Sequence, residues 1–495
     1  MPLLDKKGFF KKYNKKISQI ISTDYIADTD TPISALLKIS KKNNYSFLLE
    51  SVEGGNQRGR YSLLGYEPDL IWKVINGKVS IISDIKNVNT TIISNSKPIQ
   101  SLKKLVNLSK IKRDKNLSPY PILVGYLGYS MIQYMEKINI SKKDKLNIPE
   151  AFLIRPKIVA VFDNIKDKIT IMTTVYHDNN IKAEAAYKNA NIRIESCIKK
   201  LNKTLLKNSS NKNKKNIGQI ESNFTKNQYF KILNKAKKYI RKGDIFQVVT
   251  SQRFKCNYDL SATSLYRSLR RLNPSPFLVN LNFKNFGLVA SSPEILVRVR
   301  NGKVIIRPIA GTRKRGGNVK EDIKLTNELL NDKKELAEHL MLLDLGRNDV
   351  GKVSKTGSVK VSERMLVEYY SHVMHIVSNV EGKLEKSKDS IDALISGFPA
   401  GTVSGAPKIR AMEIIEELED ENRSFYGGAM GYFDSNGQLD SCISLRTGLV
   451  KDKKLYVQAG GGVVFDSNNQ KEYEETINKA KAIFVAAKDS YKYSS

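Results

Sequence analysis

The chain has little cysteine, no long apolar run and no glycine-rich nucleotide fingerprint, and each absence argues against a class of function. Its three cysteines, Cys197, Cys256 and Cys442, are far apart and odd in number. That speaks against a disulfide framework and against a zinc site. The histidines, His177, His339, His372 and His375, show no HExxH spacing. A transition-metal enzyme is therefore disfavoured, whereas a hard cation held by carboxylates stays open. No apolar stretch approaches the roughly 18 residues that span a bilayer. The amino terminus, MPLLDKKGFFKKYNKK, lacks the apolar core of a secretory signal and the arginine and serine of a transit peptide. The expected compartment is the cytoplasm, with no membrane partner.

What is abundant is positive charge. Lys+Arg 83 against Asp+Glu 50 gives a formal net charge of +33, a field that attracts phosphates. The excess is mostly lysine, dispersed among asparagine and isoleucine. Runs such as KNSSNKNKKN (207–216) carry no interleaved aromatics on which bases could stack. No nucleic-acid partner is expected.

At 495 residues, 40% of them hydrophobic, the chain is too long for one ordinary core, and two domains are expected. The clearest boundary is the polar stretch 202–223, rich in lysine, asparagine and serine. Before it, YSFLLESVE (45–53) and LIWKVINGKVSII (70–82) read as strands, the second with a turn at Asn76-Gly77. After it, strands such as FGLVASSPEILVRV alternate with helical patterns such as NELLNDKKELAEHLMLLDL. No βαβ rhythm opens with GxGxxG, so the mix suggests an α+β fold with largely antiparallel sheets.

Two helical segments carry carboxylates away from their apolar stripes. Over 335–345 the stripe reads Leu336, Leu340 and Leu343, and Glu338 lies off it beside Met341 and Leu342. Such a glutamate is either solvent-lit or compensated by a cation or hydrogen bonds. Over 472–488 the stripe reads Tyr473, Ile477, Ala480, Phe484 and Ala487, leaving Glu475 with Lys479, Ala482 and Ala486. Here the alternatives are a surface Glu475–Lys479 pair and a face that another element approaches closely.

Glycine-marked segments and basic residues complete the pattern. Gly460-Gly461-Gly462 follows the strand LYVQA; it is either a turn or bulge, or a backbone cradle for an anion. Gly311-Thr312-Arg313 and GTVSGAPK (401–408) have similar character, the latter at the amino end of a helix. Arg446, on the apolar strand pattern DSCISLRTGLV, is either a carboxylate clamp or half of a structural ion pair.

The segments YIRKGDIFQVVTSQRF, NPSPF, ASSPE, RPIAGTRKRG, ELAEHLMLLDLGRNDVGKV, SHVMHIVSNVEG, GFPAGTVSGAPKIRAMEIIEELE, YGGAMGYF, LDSCISLRT, VQAGGGVVFDS and YEETINKAKA follow one another between 238 and 483. In that order they resemble the chorismate-utilising enzymes, and in combination the anthranilate synthase component I family. LLES (48–51), GRYSLLG and VGYLGY resemble the regulatory part of the same subunit.

The resemblance implies a four-layer α/β/β/α chorismate-binding fold over 224–488. It also implies a smaller, partly intertwined tryptophan-binding domain over 1–201, a linker at 202–223 and a tail at 489–495. It implies Mg2+ held by Glu338 and Glu475, Glu294 as general acid, and His375 and Thr402 beside the departing hydroxyl. Chorismate would meet Gly311, Thr312, Tyr426, Arg446 and the backbone of Gly460, Gly461 and Gly462. Glu50, Ser51, Pro276, Phe277 and Leu278 match the tryptophan inhibitor site, although relatives often carry Tyr-Met in place of Phe277-Leu278.

A separate glutamine amidotransferase subunit is the implied ammonia source, in a heterotetramer of two large and two small subunits. The nearest rival is aminodeoxychorismate synthase component I, which typically has a lysine nucleophile where this chain has Ala310.

Overall fold

The computed structural model describes residues 6–39, 45–53, 57–84, 90–112, 118–205, 217–370 and 373–493. The run 207–216 and His372 lie outside the described residues. No described helix is long and apolar enough to cross a membrane.

Two antiparallel sheets form the centre. The first runs Gln19–Ile26, Lys168–Val175, Ala151–Asp163, Tyr61–Ile75, Ser46–Glu50, Phe277–Phe283, Phe286–Ser292, Thr447–Lys451, Lys454–Val463 and Gln247–Asn257. The second leaves the start of Ala151–Asp163 through Pro121–Leu127, Ala429–Asp434, Leu439–Ile443, Ile295–Arg300 and Lys303–Ile306. It reaches Val373–Lys383, which also pairs with Ile309–Lys314 and Lys360–Tyr369. Leu278 pairs with Glu50 and Met430 with Tyr126, so strands from before and after the 202–223 segment join edge to edge in both sheets.

The period-two pattern explains the layers. In Phe277–Phe283, Val279, Leu281 and Phe283 enter the core between the sheets, and Leu278 enters the core under the outer helices. Phe47 and Leu49 face inward while Leu48 faces outward, and Leu288 and Ala290 divide from Val289 in the same way. Burial on both faces is why these strands read as continuous apolar runs. Helices Ala183–Leu201, Ala262–Leu272 and Asn469–Asp489 cover the first sheet, and Lys333–Gly351 covers the strands around Val373–Lys383. The result is α/β/β/α. Asn76 and Gly77 both adopt left-handed φ, +49° and +74°, and make the expected two-residue hairpin.

Three local expectations are corrected. The pattern NELLNDKKELAEHLMLLDL is two helices, Val319–Asn331 and Lys333–Gly351, because the Asp332 carboxylate accepts the Lys334 and Glu335 N–H groups and starts a new helix. The buried stripe of that second helix is His339, Leu342, Leu343, Gly346, Asp349 and Val350, and Leu340 is exposed. On the last helix Thr476, Ala480, Ile483, Phe484, Ala486 and Ala487 are buried, whereas Ile477 is exposed. In both, a stripe chosen from large aliphatics alone missed small and polar residues packed against the sheet.

This phase has a measurable consequence. Ile483→Ala should cost about 2–5 kcal/mol in denaturant unfolding, and Ile477→Ala less than about 1 kcal/mol. Equal losses would place both side chains in the core and contradict the observed helix rotation.

Candidate active site

The strand Ile309–Lys314 slips register against Val373–Lys383 between Ala310 and Thr312. At that slip Gly311 takes φ +72°, a conformation that favours glycine. The distortion brings the Gly311 carbonyl to 3.2 Å and the Thr312 hydroxyl to 3.0 Å from His375 Nδ1. A carbonyl only accepts, so Nδ1 carries the proton and Nε2 is left as a lone pair. Burial lowers the His375 pKa to about 4, the Arg446 charge adding to the effect. At neutral pH the imidazole is uncharged.

Glu294 lies in the link between Phe286–Ser292 and Ile295–Arg300 and is buried. Thr402, from the short turn Gly401–Val403, donates to its Oε2 at 3.1 Å. Burial pushes the carboxyl up to about 8, outweighing the Thr402 and Ile309 hydrogen bonds and the more distant Lys479 charge. At pH 7 Glu294 therefore carries its proton and can serve as an acid.

Arg446 is not on a strand as its apolar context suggested. It sits between Leu439–Ile443 and Thr447–Lys451 with φ +46°. Its side chain has no ion-pair or hydrogen-bond partner among the described residues, and burial draws its pKa below the ordinary arginine value. A half-buried guanidinium without a partner is a site for an anion. Tyr370 faces the same space, its ring 5.5 Å from and edge-on to that of His375.

Gly460, Gly461 and Gly462 form neither a turn nor a bulge. They continue the strand Lys454–Val463, opposite Ser251, Thr250 and Val249, and none has positive φ. Close approach is what demands glycine here. A Cβ on Gly460 would stand 2.8 Å from the Tyr426 hydroxyl, one on Gly461 3.1 Å from Glu472 Oε2, and one on Gly462 2.7 Å from Gln247 Nε2. Tyr426 is buried, which raises its pKa to about 12 and keeps it a neutral donor.

Carboxylates from two helices border this glycine strand. Glu338 is half-buried and accepts Gln247 Nε2 at 3.2 Å. Its pKa is raised first by burial and then by the charges of Glu335 and Glu475. The Glu475–Lys479 pair forms at 2.7 Å, and Lys479 Nζ also donates to Gly460 O at 3.0 Å. Glu472 accepts the Ser467 hydroxyl on one oxygen, while the other, like Gln247 Oε1, is buried with no hydrogen-bond partner. Among the described residues no three His, Cys, Asp or Glu side chains converge as a ready-made metal cage. Two carboxylates and unsatisfied oxygens do fit a hard divalent ion that keeps waters or substrate oxygens as its other ligands.

Gln247, Glu335, Glu472 and Tyr370 were not singled out from sequence, and Lys479 was read only as a partner for Glu475. Glu335 and Glu472 carried a usable signal, because each stands three residues before a chosen glutamate and so shares its helix face. At the start of the helix Lys408–Leu418 the Lys408 Nζ bonds Asp349 at 2.7 Å.

Glu50, Ser51, Pro276, Phe277 and Leu278 all line one cavity of about 870 Å³. The Glu50 carboxylate is held by Arg270 at 2.7 Å and by the Tyr266 hydroxyl at 2.6 Å. Pro293, Ile309 and Tyr370 line the same cavity. Pro293 is bonded to Glu294, Ile309 donates its N–H to the Glu294 carboxyl, and Tyr370 touches His375. The two sites share a wall.

Residues 48–485 match the chorismate binding enzyme family. The chain is 48% identical to anthranilate synthase component 1 of Cereibacter sphaeroides over 98% of its own length and 97% of that protein. It is 42% identical to the Aquifex aeolicus component 1, covering 94% and 93%. The crystal structure of anthranilate synthase component I from Streptococcus pneumoniae superposes with a TM-score of 0.77 at 35% identity, covering 93% of this chain and 98% of that one. With this backbone, and with this identity over nearly its whole length, the chain belongs to the chorismate binding enzymes, within their anthranilate synthase component 1 group.

Proposed function

We propose that this chain is the chorismate-using large subunit of anthranilate synthase, converting chorismate and ammonia to anthranilate, pyruvate and water. The observation that carries the reading is a protonated buried acid, Glu294, in one site with an unpartnered guanidinium, Arg446, and the Glu338 and Glu475 carboxylates.

Arg446 and the Tyr426 hydroxyl hold the enolpyruvyl carboxylate, and the Gly460–Gly462 backbone lies along the ring carboxylate. Glu338 and Glu475 would hold Mg2+, which when bound polarises that ring carboxylate. Ammonia forms the new bond at ring carbon 2 as the ring double bonds shift and the C4–O bond breaks. Glu294 gives its proton to the departing hydroxyl, so that water leaves rather than hydroxide. Thr402 fixes the acid, and His375 Nε2 is an acceptor for a substrate hydroxyl hydrogen. Loss of the carbon-2 proton and of the enolpyruvyl group as pyruvate then makes the ring aromatic.

Ammonia in neutral water is mostly ammonium, which has no lone pair to attack. A glutamine amidotransferase subunit releasing it at the site is therefore part of the reading, and the relatives' designation as component 1 supports it. Two large and two small subunits are the proposed assembly, in the cytoplasm. Tryptophan in the Glu50–Ser51 cavity would press on Pro293, Ile309 and Tyr370, and so on the groups that orient Glu294 and His375.

With chorismate, Mg2+ and ammonium, the purified protein should generate anthranilate fluorescence; 4-aminodeoxychorismate as product would move the assignment to the rival enzyme. Glu294→Gln should lower the rate about 10²–10⁴-fold. The acid must be protonated to act, so kcat/KM at fixed free-ammonia concentration should fall as pH rises through about 8, and Glu294→Gln should lose that limb. Ser51→Phe should blunt inhibition by tryptophan while leaving the uninhibited rate intact, and undiminished inhibition would remove Ser51 from the inhibitor site.

A further inference from the structure

His339 follows Glu338 on the Lys333–Gly351 helix and is completely buried. Its Nε2 lies 2.7 Å from Ser378 Oγ, and that oxygen also accepts the Met365 N–H at 2.9 Å. Ser378 stands three residues beyond His375 on Val373–Lys383. Met365 has φ +51° where the neighbouring strand Lys360–Tyr369 slips register. His339 Nδ1 is buried with no partner. A buried N–H without an acceptor is rarer and costlier than an orphan lone pair, so the proton sits on Nε2 and is donated to Ser378. One serine oxygen thereby joins the helix of Glu338 to both strands beneath it.

The surrounding contacts are apolar, made by Leu329, Leu336, Met374, Ile376, Met365 and Val367. Apolar contacts are non-directional and separate neighbouring rotations of a helix less sharply than a hydrogen bond does. A buried polar contact favours one rotation, and on this helix the His339–Ser378 bond is the one next to Glu338, while Asp349, bonded to Lys408 at 2.7 Å, anchors the far end. Turning by one residue would swing Glu338 about 100° around the helix and away from Gln247.

We propose that His339, through Ser378, is a positioning residue that fixes the rotation of this helix and so aims Glu338 at the divalent ion. The proposal rests on the reading of Glu338 as a metal ligand.

Direct Mn2+ titration of the full chain, followed by the electron paramagnetic resonance signal of the free ion, tests both separately. His339→Leu keeps an apolar side chain but no donor and should raise the Mn2+ Kd roughly 10–100-fold. His339→Gln, whose amide nitrogen falls close to the place of Nε2, should stay near wild type. If Glu338→Gln weakens Mn2+ binding and His339→Leu does not, the positioning role is overturned alone. If Glu338→Gln binds Mn2+ as wild type does, the ligand reading falls. Equal weakening by His339→Leu and His339→Gln would make packing, not the hydrogen bond, the cause, and overturn the proposal. Should His339→Leu fail to fold by circular dichroism, Ser378→Ala cuts the same contact from the strand side. Weakened Mn2+ binding there supports the role, and wild-type affinity overturns it.

Discussion

Like charges held close together are the constraint from which the rest of this molecule follows. Burial disfavours the charged form of Glu338 and of Glu472, and the charges of Glu335 and Glu475 beside the first and of Glu475 beside the second add to that cost. Lys479 answers only part of it, by pairing with Glu475. Two helices well over a hundred residues apart in sequence would not carry such groups to one place without a rigid frame. The frame is the pair of sheets, whose inner faces lock together through Val279, Leu281 and Leu288 on one side and Leu123, Phe433 and Val297 on the other. Behind the site, Arg423 and Glu419 form a buried ion pair, with Arg423 also donating to the Val403 and Val249 carbonyls. That network ties the turn bearing Thr402 to the strand opposite the glycines.

Much of the frame is legible in the sequence, because it rests on local signals. Runs of apolar residues give the strands, Asn76-Gly77 the hairpin, and the absence of βαβ rhythm the antiparallel class. The helix phases are less legible. Picking Leu340 and Ile477 as core follows from hydrophobicity, yet the sheet beneath each helix prefers the smaller or polar His339, Gly346 and Thr476. Packing partners decide phase there, and they come from distant parts of the chain.

The site divides in the same way. Glu338, Glu475 and Arg446 stand out by spacing and context with their roles left open, Glu294 comes through resemblance alone, and the physical surroundings of all four are visible only in three dimensions. The glycine triplet shows why: in sequence it reads either as a turn or bulge or as an anion cradle, but in space it is straight strand, kept bare because the Tyr426 hydroxyl, Glu472 and Gln247 crowd against it. Gln247 carries no sequence signal at all. Its importance comes from standing at the end of the Gln247–Asn257 strand, opposite that bare backbone and within reach of Glu338. The wall shared by the Ser51 cavity and Glu294 is likewise invisible in sequence, since it is built from residues near 50, 276, 293, 309 and 370.

Two groups in the site, His375 and Glu294, could in principle hand a proton to a leaving oxygen, and burial sorts them into opposite states. Desolvation always favours the neutral form, so it pulls the imidazole down to about 4 and pushes the carboxyl up to about 8. The same physical cause leaves His375 an acceptor and Glu294 a donor across the neutral range. Arg446 reinforces the division, because its charge further disfavours imidazolium. A cation so placed would also stabilise a carboxylate if it lay against Glu294, yet the groups that pull the acid down are Thr402, the Ile309 N–H and Lys479. Arg446 thus adds to the burial that keeps His375 neutral and itself remains open to an anion, while Glu294 keeps its proton.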